Sequence, residues 1–394
     1  MLAVVYHGPG QLSLENRPKP TIQDPTDALV RVTHTTICGT DLAILKGGVA
    51  SVAGGRVIGH EGVGVVEAVG SSVANVKPGD RVLISCITAC GHCPHCRRGI
   101  PSNCANGGWV LGNTSDGCQA EYVRVPYADN GLHLIPAAVS DEIALMLSDI
   151  VPTGLEMGVI NGDVKFGDVV AIIGAGPVGL AALLAVQFYS PAQVIVIDVD
   201  ENRLALARRL GATATINNSD GEAQTRILEM TCGRGVDSAI EAVGNPQTCK
   251  LVQGIIGVGG TIANIGVYSQ STELFKQRLW TKNITIRMGL VNTTTIPLLL
   301  QTVEGGKLDP SPLITHRLPF TDILRAYDIF RNAAKEQAVK IVLYMDGAAP
   351  DKDEDRTLIA HIVGQRLHQL QCRTRCYCHS TASVPPWSIT YLPL

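Results

Sequence analysis

Residues 171–186 read AIIGAGPVGLAALLAV: an apolar strand, a glycine turn, and a run with strong helix propensity. The turn places Gly174, Gly176 and Gly179 in a G-x-G-x-x-G spacing, with Pro177 and Val178 opening the helix. Gly174 permits a tight turn, Gly176 lets the backbone approach a pyrophosphate, and Gly179 lets helix and strand pack closely. The helix N-terminus adds unpaired N–H groups and the positive end of its dipole. A second strand, QVIVID, ends at Asp198, nineteen residues after Gly179. A carboxylate there accepts hydrogen bonds from ribose hydroxyls and repels a 2′-phosphate, which predicts NAD over NADP. Arg203, early in the next helix, joins the cofactor-binding candidates.

Outward from this stretch, apolar runs of strand length alternate with helical segments: DVVAIIG, QVIVIDVD, TATIN, VDSAIEAVG, GGTIANIGV and NITIRMG. Such alternation with almost wholly apolar strands predicts an α/β fold, a doubly wound parallel sheet covered on both faces. Residues 1 to about 150 are different, with short β-rich segments (ALVRVTHTTI, EGVGVVEAVG, DRVLISC, AEYVRVP) broken by Gly and Pro. The expected organisation is a nucleotide-binding domain at 153–292 and a second, β-rich domain at 1–152 and 293–346. Residues 347–394 read as a C-terminal extension. It has a polar linker, apolar residues at helical spacing from Leu358 to Leu370, and a short irregular CRTRCYCH cluster.

The bulk numbers exclude several function classes. The formal charge is −3 and the sequence pI near 6.4, which offers no basic surface for nucleic acid or an anionic membrane. No apolar run approaches the roughly 18 residues needed to span a bilayer. The N-terminus lacks a charged region followed by a long apolar core, so the expected address is the cytoplasm. There, twelve cysteines are thiols and metal ligands before they are disulfides.

Four of those cysteines, Cys90, Cys93, Cys96 and Cys104, follow C-x2-C-x2-C-x7-C. Four thiolates suit tetrahedral Zn²⁺ with no open position, so the expected contribution is to hold an irregular loop and not to bind substrate. Cys86 lies outside the set and is expected in the core. A zinc-ribbon module on nucleic acid would need clustered Lys/Arg and aromatics around the cysteines, and the loop offers only Arg97 and Arg98. A second, dispersed set comprises Cys38 in ICGTD, His60 and Glu61 in IGHEGVG, and Asp149 in MLSDIVPTG. Read singly, each has a bland alternative: a buried thiol, a satisfied core histidine, a helix-associated acid.

Together these motifs resemble the zinc-dependent medium-chain alcohol dehydrogenases over roughly residues 1–346. Within that family the chain is most similar to bacterial secondary-alcohol dehydrogenases and their formaldehyde-dehydrogenase-like relatives, through GGWVLGNTSDGCQAEYVRVPYAD and LSDIVPTG. The resemblance implies a GroES-like catalytic domain beside the Rossmann domain, two Zn²⁺ per chain, and a homotetramer or dimer. It implies that Cys38, His60 and Asp149 hold a catalytic zinc, with Glu61 as a nearby or exchanging ligand. By the same likeness Asp41 accepts from the His60 ring, Thr40 relays the substrate proton, and Thr153 meets the nicotinamide end. Lys340 falls where the family places a cation near the pyrophosphate, with a solvated lysine as the alternative. The implied reaction is hydride transfer between an alcohol, short-chain and secondary, and NAD, with Zn²⁺ as Lewis acid. A polyol, threonine or formaldehyde dehydrogenase on the same frame is the alternative. Trp109 hints at an apolar pocket.

Ala43 departs from the pattern, because related sequences commonly have histidine there. A histidine can pass the proton towards solvent near neutral pH. Ala43→His is therefore expected to raise alcohol oxidation below about pH 7, the regime in which a near-neutral base helps. An unchanged pH–rate profile would count against that route.

Overall fold

The strand Val169–Ile173, buried at four of its five residues, sits inside a six-stranded parallel sheet. Across the sheet the order is 214–217, 193–198, 169–173, 236–241, 256–264 and 285–288, every neighbouring pair parallel. The chain winds one way from the 169–173 strand and then returns to wind the other way. A crevice therefore opens at the carboxyl ends of 169–173 and 236–241, the place where such sheets bind nucleotides. The computed structural model describes residues 1–348. The extension from 349 on, including the helical pattern and the CRTRCYCH cluster, lies outside the described residues.

The glycine turn occupies that crevice. Gly174 has φ +102°, and its N–H donates to Ile197 O at 2.7 Å while Ala242 N–H donates to Ile173 O at 2.8 Å. A Cβ on Gly179 would lie 1.8 Å from Gly174 O, so only glycine lets the helix Pro177–Val186 start this close to the strand. A Cβ on Gly176 would meet nothing within 4 Å. Gly176 is the helix N-cap and supplies no side-chain cap, which leaves the first-turn N–H groups open to an anion.

The second sheet has seven strands. Along it run 314–319, 340–344, 28–36, 62–69, 81–84 and 132–134, with 122–125 paired to the first half of 28–36. Its pairs are antiparallel except 314–319 with 340–344. A three-stranded sheet of 11–16, 2–8 and 56–57 completes the β-rich part. No helix among the described residues is long and apolar enough to cross a membrane.

The region read as β-rich also contains helices at Gly39–Leu45, Asp141–Met146 and Ile150–Thr153, the last continuing as a π-helix over Gly154–Ile160. Local chemistry accounts for two of the starts. The Ser140 side chain accepts from Ile143 N, with Asp141 and Glu142 in the first turn. Asp41 reaches back to the Cys38 N–H at 2.9 Å, a reciprocal cap that makes CGTD a helix start.

The two fingerprint glycines separate experimentally. Gly179→Ala forces a Cβ into backbone and should cost on the order of 3 kcal/mol, seen as a lower Tm. Gly176→Ala should leave Tm unchanged yet weaken NADH binding about tenfold by filling the space above the helix N-terminus. Melting curves and NADH fluorescence titration check both.

Candidate metal centres and cofactor site

The loop 90–104 has little regular structure, and its four cysteines converge with all four sulfurs within 4.8 Å of one another. Measured pairs are 3.5 Å (Cys93–Cys96), 3.9 Å (Cys93–Cys104) and 3.5 Å (Cys90–Cys104). Sulfurs bound tetrahedrally at about 2.3 Å from one Zn²⁺ would stand about 3.8 Å apart, so the cage fits the ion. N–H groups already point at it: Cys96 N and Ala105 N donate to Cys93 Sγ, and Cys90 N and Asn106 N to Cys104 Sγ. The bonds from Cys96 and Ala105 bring the Cys93 thiol down to about 6. At Cys90 burial opposes ionisation, but the His92 and Asn106 donors bring it to about 7. Burial and the Cys93 side chain push the Cys96 thiol up to about 12.

The dispersed set also converges. Cys38 caps the helix 39–45, His60 and Glu61 precede the strand 62–69, and Asp149 caps the helix 150–153. One ligand atom from each of the four lies within 4.8 Å of the others. His60 Nε2 is 3.2 Å from Asp149 Oδ2, and Cys38 Sγ is 3.8 Å from the same oxygen. Burial opposes the Asp149 carboxylate, yet His60 and the Thr153 hydroxyl (2.6 Å) hold it well below the ordinary carboxylate range. Burial also opposes a charged His60, and Asp149 and Cys38 nevertheless raise it well above the usual imidazole value. The donor set asks for a cation at this point, and one thiolate, one imidazole and carboxylates suit Zn²⁺.

Around the set the structure differs from several expectations. Asp41 does not accept a hydrogen bond from the His60 ring. Its Oδ1 faces His60 Nδ1 at 3.8 Å, and both atoms are buried without a partner among the described residues. Asp41 Oδ2 is already engaged by Cys38 N and by Gln119 Nε2 at 3.1 Å, which fixes the carboxylate from behind. A cation on Nε2 would make Nδ1–H the stronger donor to the orphaned oxygen. Lys340 is neither solvated nor bonded to the glycine turn. It is fully buried, and its Nζ donates to both Glu61 oxygens at 2.8 and 2.9 Å and to Ile37 O at 3.3 Å. Burial opposes the ammonium, and the Glu61 charge more than restores it.

Thr40 Oγ1 stands 3.8 Å from Cys38 Sγ, on a partly exposed residue at the mouth of the set. Cys86 is buried, as a core residue would be, but beside the metal set: burial and the Asp149, Glu61 and Cys38 charges push its thiol up. It clusters with Ile87, Met157 and Val291, against which Trp109 and Ile265 pack. The Trp109 ring meets His60 edge-on at 6.0 Å, so this apolar wall adjoins the metal set. The Cys86 thiol and Gln119 were not legible as site residues in the sequence, and neither was the pairing of Lys340 with Glu61.

On the nucleotide side, Asp198 Oδ2 accepts from Ala175 N at 2.6 Å, tying the strand end to the glycine turn. Its Oδ1 accepts from Val199 N and Asp200 N. Arg203 Nε lies 3.9 Å from Asp200 Oδ2 and has no hydrogen-bond partner among the described residues. The open face of Gly176 and the uncapped helix start of Pro177, Val178 and Gly179 fit a pyrophosphate.

Comparison with known proteins agrees with this geometry. Residues 24–137 match the alcohol dehydrogenase GroES-like domain and residues 177–305 the zinc-binding dehydrogenase domain. An alcohol dehydrogenase of Cupriavidus necator is 36% identical over 363 residues, covering 87% of this chain and 98% of that protein. The NADP-dependent isopropanol dehydrogenase of Thermoanaerobacter brockii is 31% identical, covering 85% and 97%. The solved apo form of zinc dependent alcohol dehydrogenase 2 from Streptococcus pneumonia is 49% identical, with TM-score 0.85, covering 89% of this chain and all of that one. The chain belongs to the zinc-dependent medium-chain alcohol dehydrogenase family.

Proposed function

We propose that the protein interconverts a short-chain secondary alcohol and its ketone, with one catalytic and one structural zinc and with NAD. The observation that carries this is the convergence of Cys38, His60 and Asp149, drawn from three separate segments, beside the apolar wall. When bound, the metal supplies Lewis-acid polarisation of the substrate oxygen and the nicotinamide accepts the hydride.

The remaining work belongs to the chain. Cys38, His60 and Asp149 would hold the metal, and Asp41 behind His60 would set the ring tautomer. Thr40 Oγ1, 3.8 Å from Cys38 Sγ, would take the substrate proton and hand it to water, since Ala43 offers no ring nitrogen. Cys86, Ile87, Met157 and Val291 exclude water and receive alkyl groups. A polyol would leave its hydroxyls without partners on that wall, which favours a simple alkyl substrate over the polyol alternative. Asp198 supports NAD, since a carboxylate at the end of this strand repels a 2′-phosphate, even though the Thermoanaerobacter brockii relative is NADP-dependent by name. Lys340 has no part in this cofactor reading.

A homodimer or tetramer is part of the proposal. The sheet edge 285–288 is exposed at every residue and carries Met288 at 71%, with Trp280 nearby in sequence at 76%. A cytoplasmic address is consistent with nine free thiols among the described residues.

Metal analysis should find two zincs per chain. Asp149→Asn should lower turnover about 10³-fold or more and leave one zinc, whereas Cys96→Ser should mainly lower Tm. A Cys96→Ser protein that melts like the parent but has lost turnover would reverse the two assignments. Light scattering on the same preparations reports the oligomer.

Asp198→Gly removes the charge that repels a 2′-phosphate. The NAD to NADP ratio of kcat/KM should fall about tenfold or more, with Tm lowered as well, since Ala175 N loses its acceptor. A ratio that stays put would show that Asp198 does not set cofactor choice.

A further inference from the structure

Directly after Asp149 and Thr153, the π-helix Gly154–Ile160 carries Glu156, only 5% exposed in an otherwise apolar run. Its carboxylate is saturated by one distant turn. Oε2 accepts from Asn292 N at 2.8 Å and Thr293 N at 3.1 Å. Oε1 accepts from Thr295 N at 3.0 Å and Thr295 Oγ1 at 2.8 Å. That turn lies where the chain leaves the last strand of the parallel sheet, 285–288, for the helix Ile296–Glu304.

The turn is strained and held from two other sides. Thr293 has φ +60°, a conformation unfavourable for a β-branched residue that persists only where its surroundings impose it. Its hydroxyl is 2.8 Å from Ser85 Oγ, next in sequence to Cys86. Asn292 Oδ1 accepts from Ser102 Oγ at 2.8 Å and Ser102 N at 3.3 Å, and Ser102 lies inside the four-cysteine loop. Val291, at the start of the turn, and Met157, next to Glu156, are both members of the apolar wall.

We propose that Glu156 is a positioning residue for substrate selection. By holding the 292–295 turn it sets Val291 and Met157 against Cys86 and Trp109, and through Asn292 and Ser102 it makes the four-cysteine loop a support of that wall. The inference rests on the alcohol-oxidising reading for its kinetic consequence but not for its structural one. Glu156→Gln is the sharp test, because a carboxamide has one acceptor oxygen and one donor-only nitrogen. Whichever way it turns, the NH₂ group faces at least one backbone N–H donor: those of Asn292 and Thr293, or that of Thr295.

Two readouts apply to the full-length, zinc-loaded protein. The first is alkylation of Cys86 by iodoacetamide, followed by peptide mass spectrometry with buried Cys118 as internal reference. Glu156→Gln should raise Cys86 labelling about tenfold relative to Cys118. The second is kinetics on 2-propanol, 2-butanol, 2-pentanol and 2-octanol with NAD below both melting transitions. KM for the short alcohols should rise about five- to tenfold with kcat within about twofold, and preference by chain length should flatten. Asn292→Ala should move both readouts the same way by less, while Asn292→Asp, which keeps the acceptor for Ser102, should restore them. If Glu156→Gln does not fold, Thr295→Val and Asn292→Ala decide the matter with milder changes. Lower Tm with unchanged Cys86 labelling and unchanged KM would reduce Glu156 to a stabilising contact and overturn the proposal. A parent protein inactive on every alcohol would overturn the functional reading instead, and the labelling would still test the wall.

Discussion

The buried ion pair between Lys340 and Glu61 is the constraint around which the converging donors of the β-rich part are arranged. Glu61, Asp41 and the Cys38 thiol are all buried, with Asp149 beside them, and buried anions are tolerated only when paired or bound to a cation. Lys340 answers Glu61 with two bonds, and it reaches there from the last strand of the seven-stranded sheet. The strand 340–344 is thereby tied to the His60–Glu61 turn some 279 positions earlier. With Glu61 committed to Lys340, the remaining donors Cys38, His60 and Asp149 are those left to hold a cation. This is a physical reason for a three-residue set with Glu61 in reserve.

How much of this could be read from the chain depends on how local each feature is. The glycine fingerprint is a strand, a turn and a helix in sixteen consecutive residues, and every glycine does a job visible in its own backbone. The four cysteines are similarly local, and their spacing implies a cage before any coordinates exist. The second set is spread from Cys38 to Asp149, and each member taken singly looks like an ordinary core or helix residue. Only the resemblance to a family joined them. The resemblance alone put Asp41 behind His60; its Oδ1 stands 3.8 Å from Nδ1 without a hydrogen bond, and the Cys38 N–H and the Gln119 amide take its other oxygen, which no spacing rule reveals.

Lys340 and Glu156 share a signal that sequence reasoning can use. Each is a single charge inside an apolar run, AVKIVLY and GLEMGVI, and each is buried against a specific distant partner. Asp149, in LMLSDIVP, is a third case. Polar periodicity gives such residues no face of their own, so the burial of the run forces their pairing. A lysine in AVKIVLY is more economically explained as a buried partner than as a solvated cation. What the run cannot say is which distant group completes the pair.

The relation between the two halves comes down to Gly154. A Cβ there would lie 2.5 Å from Ala182 N and 2.8 Å from Ala181 C, so the segment carrying Asp149 and Thr153 touches the cofactor helix backbone to backbone. Side chains between helices usually hold axes about 8–10 Å apart and can shift rotamer, whereas a glycine contact of this kind leaves no such slack. Asp149, one of the four converging donors, and the start of the helix Pro177–Val186 at the glycine turn are then positioned by a single backbone contact. Hydride transfer requires substrate and nicotinamide within about 3–3.5 Å in a fixed orientation. A fold that builds one partner's site on the β-rich part and the other's on the parallel sheet needs a joint that does not slide, and the π-helix from Gly154 to Ile160 supplies it. The same π-helix carries Glu156, bonded to the 292–295 turn, and Met157 in the apolar wall, so one irregular segment joins the cation-binding set, the cofactor helix and the wall.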